Sequence, residues 1–378
     1  EVFDGGENWD AILDQAADLG PAFLLNGGDM LIDGDDVEGW LDFLEMTSDV
    51  ASEIAFLPTL GNHDDGPGEG DEAYYNQLFT LPRSTGPHGS GTEDYYYFTY
   101  GNAIFVSLST NSFSGGDIPF QDQASWLDQV LEDNPRKWKI VFYHKPSYNQ
   151  DALLGGHEPN EEGQNAALIP VIDAHHVDLV LTSHVHWYER FHPTACSIVG
   201  DAGSSEACSV GPDNFFAGTV HVVSGGAGAF TIPEVFCPIG APEGRAVCKG
   251  GHHFLLVEID DEVLTYQAWS AFPQPVELID TFTIVKEEDE CAALDADVDG
   301  DADTDVDADT DVDTDTDTDA DTDTDADTDA DADTDTEGDP AGPGADETGP
   351  GADTGGCGCL FAGNPLPGGA LAALAALI

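Results

Sequence analysis

Four times in the first half of the chain a short apolar run stops at a residue of metal-binding type. Ala22–Leu25 runs into Asn26-Gly27-Gly28-Asp29, and Ile54–Leu57, after Pro58-Thr59-Leu60, into Gly61-Asn62-His63-Asp64. Ile140–Tyr143 runs into His144-Lys145-Pro146, and Leu179–Thr182 into Ser183-His184-Val185-His186. Apolar runs of this length bounded by Gly and Pro read as buried strands. Polar residues that follow such strands gather along one edge of an α/β sheet, outside the carboxyl ends of the strands. The pattern therefore demands a fold in which four distant stretches of chain meet.

The segments between these runs alternate in type. Trp9, Ile12, Leu13, Ala16 and Leu19 fall at helical spacing, with Asn8 as the expected cap and Gly20-Pro21 as the stop. A second helix is expected over about 37–46, an amphipathic one over 122–132 and another near 165–174. Tyr95–Tyr100 and Ala103–Leu108 flank Gly101-Asn102, a hairpin signal. From Val220 to Val285 the chain reads as strands with Gly-rich turns. The order predicts an α/β fold, two packed sheets with helices outside. Trp9, Trp126 and Trp138 read as packing residues, Tyr95-Tyr96-Tyr97 as an alternating strand, and Lys145 as a solvated side chain.

Composition divides the 378 residues into one globular part, 1–286, and a tail. All nine Lys and Arg lie at or before Lys286, and 30 of the 75 acidic residues lie after it, so the globular part alone carries −36 of the total −66. Such a surface repels nucleic acid and anionic membrane and attracts divalent cations. Cys196 and Cys208 bracket one Gly/Ser-rich stretch, Cys237 and Cys248 another, and Cys291 is left over. Local disulfides closing these two loops point to a compartment outside the cytoplasm.

From Asp295 to Asp335 every odd position is Asp. Like charges at that density forbid a packed core, so 287–354 is expected to be a disordered, low-complexity acidic stalk. Asp295, Asp297, Asp299 and Gly300 open like an EF-hand loop, but Val306 stands where the bidentate acid is needed, which leaves only weak, delocalised calcium binding. The last segment, 355–378, holds Gly356-Cys357-Gly358-Cys359 and an apolar end too short for the ~20 residues of a spanning helix. It resembles bacterial C-terminal sorting signals of myxobacterial type, lacking their basic end. That resemblance implies attachment to the cell envelope and a sequence cut short at this end.

The residue types after the four strands suit a pair of cations. A carboxylate such as Asp29 has two oxygens and can bridge. An Asn oxygen and neutral imidazoles complete the shells without adding charge. Two ions about 4 Å apart can clamp a phosphoryl group and supply an activated water.

Gly28-Asp29, Gly61-Asn62-His63-Asp64, His144 and His184-Val185-His186 resemble, in order, the blocks of the calcineurin-like metallophosphoesterases. His184 to Arg190 (HVHWYER) is similar to the purple acid phosphatase block at that place, and Ser224–Gly228 to the Gly-rich strand end downstream. The resemblance covers about residues 1–285. It implies a calcineurin-like β-sandwich of two mixed sheets flanked by helices. It also implies hydrolysis of phosphate esters, monoesters above all, at a dinuclear site of iron, manganese or zinc. The substrate would be a phosphorylated small molecule or a phosphoprotein.

By this resemblance Asp29 bridges the metals, Asn62, His144 and His184 complete one site, and His186 serves the other. His63, oriented by Asp64, stands beside the leaving oxygen, and His157 is a further phosphate contact. Two departures follow. The family's Tyr ligand position is Ile32 here, so no charge-transfer colour is expected. The family's first Asp block falls at or just before Glu1, with Asp4 as a stand-in, which implies truncation at this end also. The rival reading is a catalytically silent surface module, calcium-binding or adhesive, on the same fold.

Overall fold

Apolar residues alternate between two cores along the central strands, which fixes the layers. The computed structural model describes residues 7–68, 70–111, 119–150, 158–272, 275–286 and the backbone of 372–377. In chain order the first half holds helix α1 (Glu7–Ala17), strand β1 (Phe23–Asn26), α2 (Val37–Ala51), β2 (Ala55–Pro58), α3 (Tyr74–Leu78), β3 (Tyr96–Tyr100) and β4 (Ala103–Ser107). Then come α4 (Phe120–Asp133), β5 (Trp138–Tyr143), α5 (Asn165–Ala174), β6 (Leu179–Thr182), β7 (Tyr188–Phe191) and β8 (Val220–Ser224). The chain continues through β9 (Arg245–Lys249), β10 (His253–Asp260), β11 (Val263–Ser270), β12 (Leu278–Val285) and β13 (Ala372–Leu377).

One sheet has six strands in the order β12-β11-β10-β13-β1-β2, the other seven in the order β3-β4-β5-β6-β8-β7-β9. Both are mixed: β4, β5, β6 and β8 run parallel, as do β13, β1 and β2, and the rest pair antiparallel. Phe105, Ile140, Phe142, Leu179, Leu181, Val220 and Val222 face the core shared with Phe23, Leu25 and Tyr266 of the six-stranded sheet. Their neighbours Ile104, Val106, Val141, Tyr143, Val180 and Val223 face the opposite way. There they pack with Trp126, Leu127 and Leu131 of α4 and Leu168, Ile169 and Ile172 of α5. This period of two is what a strand buried on both faces requires. The two-sheet α/β arrangement expected from the sequence is the one observed.

Several boundaries moved for identifiable reasons. α1 begins at Glu7, so Asn8 lies inside the helix rather than capping it. α2 runs five residues past the expected Met46, to Ala51, and Asp36 caps its start by accepting the Glu38 N–H at 3.0 Å. β7 lies within the HVHWYER block, where the polar Glu189 and Arg190 hid a strand buried on both faces.

The apolar end was expected to stand apart from the domain. Instead Ala372–Leu377 lies between β1 and β10, parallel to the first and antiparallel to the second, and α1 packs against β10 and β13. Six small apolar residues suit a strand that is central in its sheet. The acidic segment 287–354, Cys291, Asp4 and His157 fall outside the described residues.

Among the polar contacts that tie the sheets, one is a buried charge pair. Arg190 on β7 donates from Nε and an Nη to both oxygens of Asp280 on β12, at 2.6 and 3.1 Å, and the Tyr188 hydroxyl donates to the same carboxylate at 2.6 Å. Asp280 and Arg190 are both nearly buried, so removing one leaves the other without its charge partner. Asp280→Ala is expected to cost about 3 kcal/mol or more of stability, read as a lowered urea midpoint at unchanged slope.

Candidate metal centre

Parallel strands β1 and β2 of one sheet, and β5 and β6 of the other, bring their carboxyl ends to a shared edge. Two loops from the six-stranded sheet approach so closely there that only glycine fits. A Cβ on Gly28 would lie 2.6 Å from the Gly61 nitrogen and 3.1 Å from His144 Nδ1, and one on Gly61 would lie 2.2 Å from the Asp29 nitrogen. The contact is clipped by Asp64, which is fully buried. Its carboxylate accepts the backbone N–H groups of Asp29 and Met30, both at 2.7 Å, and of Gly61 at 2.9 Å. Asp29 and His184 are both left-handed, with φ of 57° and 64°. Such conformations cost a non-glycine residue about 1 kcal/mol or more and persist where the surroundings hold them.

Four donor atoms converge in front of this clip. The carbonyl of Gly27 accepts from His144 Nδ1 at 2.7 Å, which places the proton on Nδ1 and turns the Nε2 lone pair inward. Nε2 then lies 2.9 Å from Asp29 Oδ2, 3.0 Å from His184 Nδ1 and 3.1 Å from Asn62 Oδ1. Ligands about 2.1 Å from a common cation at right angles are separated by about 3 Å, so these spacings are those of a coordination shell. Three electron-rich atoms facing one lone pair repel one another, and either a proton on Nε2 or a cation among them relieves that repulsion. Asp29, His144 and His184 are all buried, which sharpens that repulsion.

The electrostatics of the bare site agree. Burial would push the Asp29 carboxyl up, but the His144 ring and the His63 N–H beside it outweigh burial and hold it well below the usual carboxylate range. Burial would likewise lower His144, and the Asp29 charge and hydrogen bond raise it instead. Burial and the nearby Asp29 charge push Asp64 up to about 6. A positive charge is drawn to this point, and the donor set fits a metal ion.

The remaining site residues are placed less tightly. Asp29 Oδ1 accepts the His63 N–H at 2.9 Å. The His63 ring is held by the carbonyl of Ile32, which takes Nδ1–H at 2.8 Å, and not by Asp64, whose oxygens are taken up by backbone N–H groups. Asp64, expected to orient His63, is seen accepting the backbone N–H groups that shape the loop. His186 is buried behind the strand end, its ring edge-on to Phe230 at 4.7 Å and its carbonyl accepting the Ile232 N–H at 2.7 Å. It lies outside the group formed by Asp29, His144 and His184. The Gly-rich turn after β8 closes on this strand end so tightly that a Cβ on Gly225 would lie 2.3 Å from the Val185 oxygen.

Two features were not legible. Lys145 is buried, not solvated, and its Nζ pairs with Glu161 at 2.6 Å. The other Glu161 oxygen lies 3.9 Å from His184 Nε2. Glu189, fully buried, accepts from Arg245 at 2.8 Å and from the Gln150 N–H at 3.0 Å, which fixes the chain where it leaves the site after Pro146. Only the charge of Lys145 immediately after a ligand hinted at a buried partner. The disulfides Cys196–Cys208 and Cys237–Cys248 are the expected pairs.

A two-sheet α/β sandwich with Asp, Asn and two His converging at the strand ends defines a candidate metal centre. Residues 5–188 match the family model described as calcineurin-like phosphoesterase, the family this stretch of the chain is similar to. It is 27% identical over 254 residues to an uncharacterized protein of Mycobacterium tuberculosis, covering 58% of this chain and 46% of that protein. It is 29% identical over 195 residues to purple acid phosphatase 18 of Arabidopsis thaliana, covering 50% and 39%. The chain thus spans about half the length of such curated relatives. Among solved structures, purple acid phosphatase PPD1 of yellow lupin shares the fold at a TM-score of 0.58 and 22% identity, over 75% of this chain and 50% of that one. GAP50, titled the anchor in the inner membrane complex of Plasmodium, shares it at 0.51 and 18%, over 79% and 90%.

Asp64→Ala would strand three buried N–H groups, at about 1–3 kcal/mol each. It is expected to lower the urea midpoint markedly, whereas His63→Ala leaves the midpoint unchanged. Equal midpoints for the two variants would contradict the clip.

Two imidazoles outside the site set the acid limit. Burial depresses His221, against Tyr148, to about 3, and His253, against Tyr188, to about 4. Between the unfolded value of about 6.5 and these folded values the unfolded chain binds protons that the native state refuses, so stability falls on acidification. His221→Leu is expected to flatten the dependence of unfolding free energy on pH between about 6.5 and 4 by about 1.4 kcal/mol per pH unit. Superimposable slopes would count against it.

Proposed function

We propose that this protein is a metal-dependent phosphatase that hydrolyses phosphate monoesters of small molecules or phosphoproteins. The observation that carries the proposal is the convergence of Asp29, Asn62, His144 and His184 on one point at about 3 Å spacing. These residues would hold one ion, and the carboxylate of Asp29 with His186 would serve a second. The chemistry a bound iron, manganese or zinc would supply is polarisation of the phosphoryl group and a water acidified toward neutrality. The chain's own residues do the rest. His144 is kept in one tautomer by Gly27, and His184 is held at its left-handed strand end, so the ligand atoms need no reorganisation. His63, fixed through Nδ1–H to the Ile32 carbonyl, would act as the imidazolium: as a water oxygen bonds to phosphorus and the ester P–O bond breaks, the Nε2 proton passes to the departing oxygen, the alcohol leaves neutral, and the proton lost by the water restores the imidazolium. His157 is proposed as an added phosphate contact. The donor set favours catalysis over a silent adhesive or calcium-binding module, which has no use for strained ligands.

The proposal extends to an extracytoplasmic setting, supported by two disulfides, which persist in oxidising compartments. Among the described residues no helix is long and apolar enough to cross a membrane. Envelope attachment through 355–378 would compete with the sheet, because a strand paired on both sides cannot be presented to a sorting system at the same time.

Full-chain protein assayed with p-nitrophenyl phosphate is expected to lose activity on chelation and regain it with iron, manganese or zinc. Bis(p-nitrophenyl) phosphate should be the poorer substrate, and His144→Ala should lower kcat/KM by about 100-fold or more. A metal-restored wild type that hydrolyses neither ester would leave the silent module standing.

A further inference from the structure

We infer that Glu161 is the positioning residue of the metal centre: pinned by buried Lys145, its carboxylate faces the outer nitrogen of His184 and directs that imidazole's Nδ1 at the ion. The inference rests on the metal-centre reading above and extends it to residues outside the ligand set.

His184 approaches the convergence point through Nδ1, 3.0 Å from His144 Nε2. A neutral imidazole that ligates through Nδ1 carries its proton on Nε2. The Glu161 carboxylate is on that side of the ring, its Oε1 3.9 Å from Nε2. The spacing is an electrostatic contact, and it strengthens when a cation on Nδ1 makes the Nε2–H more acidic. Ligating imidazoles usually have such an outer partner, which fixes tautomer and ring orientation. His144 has the Gly27 carbonyl in that role, and Glu161 supplies the equivalent for His184.

The carboxylate is built in from a separate stretch of chain. Asn160 and Glu162, on either side of it, are both left-handed, with φ of 55° and 59°. Their strain is offset by anchors: the Asn160 N–H donates to the Pro146 carbonyl at 3.1 Å, and Asn165 donates from Nδ2 to the Ser147 carbonyl at 3.0 Å. Lys145 is equally fixed, its N–H donating to Thr110 Oγ1 at 2.8 Å and its carbonyl accepting from Gln164 Nε2 at 2.8 Å. Its Nζ holds Glu161 Oε2 at 2.6 Å, so the other oxygen is left aimed at His184. A buried ammonium without an acid beside it is strongly disfavoured, so the pair acts as a unit.

The test uses the full chain, stripped of metal by chelation, with Zn2+ affinity read by competition against a chromophoric chelator. The second readout is the 15N imidazole spectrum of labelled histidine. Glu161→Ala is expected to weaken Zn2+ binding about 10–100-fold and to shift His184 away from the Nε2–H pattern. Lys145→Met should weaken it in the same direction by releasing Glu161. Glu161→Gln, which keeps the shape and an accepting oxygen, should fall between Glu161→Ala and wild type, and it decides the matter if the alanine variant does not fold. Wild-type Zn2+ affinity with an unchanged His184 pattern in Glu161→Gln and Glu161→Ala would overturn this inference alone. A wild type that binds no Zn2+ would overturn the metal-centre reading and this inference with it.

Discussion

The contact on which the rest depends is the approach of two backbone loops, 27–31 and 61–64, within a distance that excludes any Cβ at Gly28 or Gly61. Such an approach turns backbone N–H groups of both loops inward, where each needs an acceptor. One carboxylate, Asp64, supplies it to three of them. The same contact sets Asp29 in its left-handed conformation and turns its side chain toward the seven-stranded sheet. The site therefore exists only where the two sheets are already packed, because Asp29 and Asn62 come from one and His144 and His184 from the other. Packing of the sandwich and assembly of the donor set are one event, and the Arg190–Asp280 junction serves the second through the first.

Much of this was legible because two periodicities coincide. Runs such as Ile140–Tyr143 and Leu179–Thr182 are buried at every position and apolar at most, as strands buried on both faces must be, and a ligand follows each within two residues. α5 and β6 lie where the pattern placed them, since nothing in those segments competes with it. What the pattern left out has physical causes. Tyr188–Phe191 hid as a strand because its charges are neutralised by Asp280 and Arg245, far away in sequence. Asp64 was read as an orienting acid because a carboxylate beside a histidine suggests a side-chain pair. The backbone need it meets arises only when two loops touch. Lys145 was read as solvated for the same reason, its partner being sixteen positions on. Short-range pattern reports strands and ligands, and it is blind to what holds them.

The end of the chain shows the same limit from the other side. A small apolar stretch such as 372–377 reads equally as a strand and as part of a sorting segment, because pattern reports apolarity and not partners. The choice is made by the facing edges of β1 and β10, whose N–H and C=O groups it pairs along their length. A central strand is also the position where side chains too small to fill a surface are least costly, since backbone pairing on both sides supplies the stabilisation.

Charge sets the last constraint. Under the proposed function so acidic a domain must bring positive charge to a phosphate ester, and its nine Lys and Arg side chains are already partnered. Arg83 pairs with Asp71 and Glu93, Lys137 with Asp261, Arg190 with Asp280, Arg245 with Glu189, Lys249 with Glu234 and Lys286 with Asp178. Lys139 and Arg136 donate to the carbonyls of His175 and Pro135. Only Lys145 comes near the ligands, and Glu161 neutralises it there. Among the described residues, then, each Lys and Arg side chain already has an acceptor. What the site offers is a set of neutral and negative donors at coordination spacing, and under the proposed function a bound metal would supply the charge that draws in a phosphate ester.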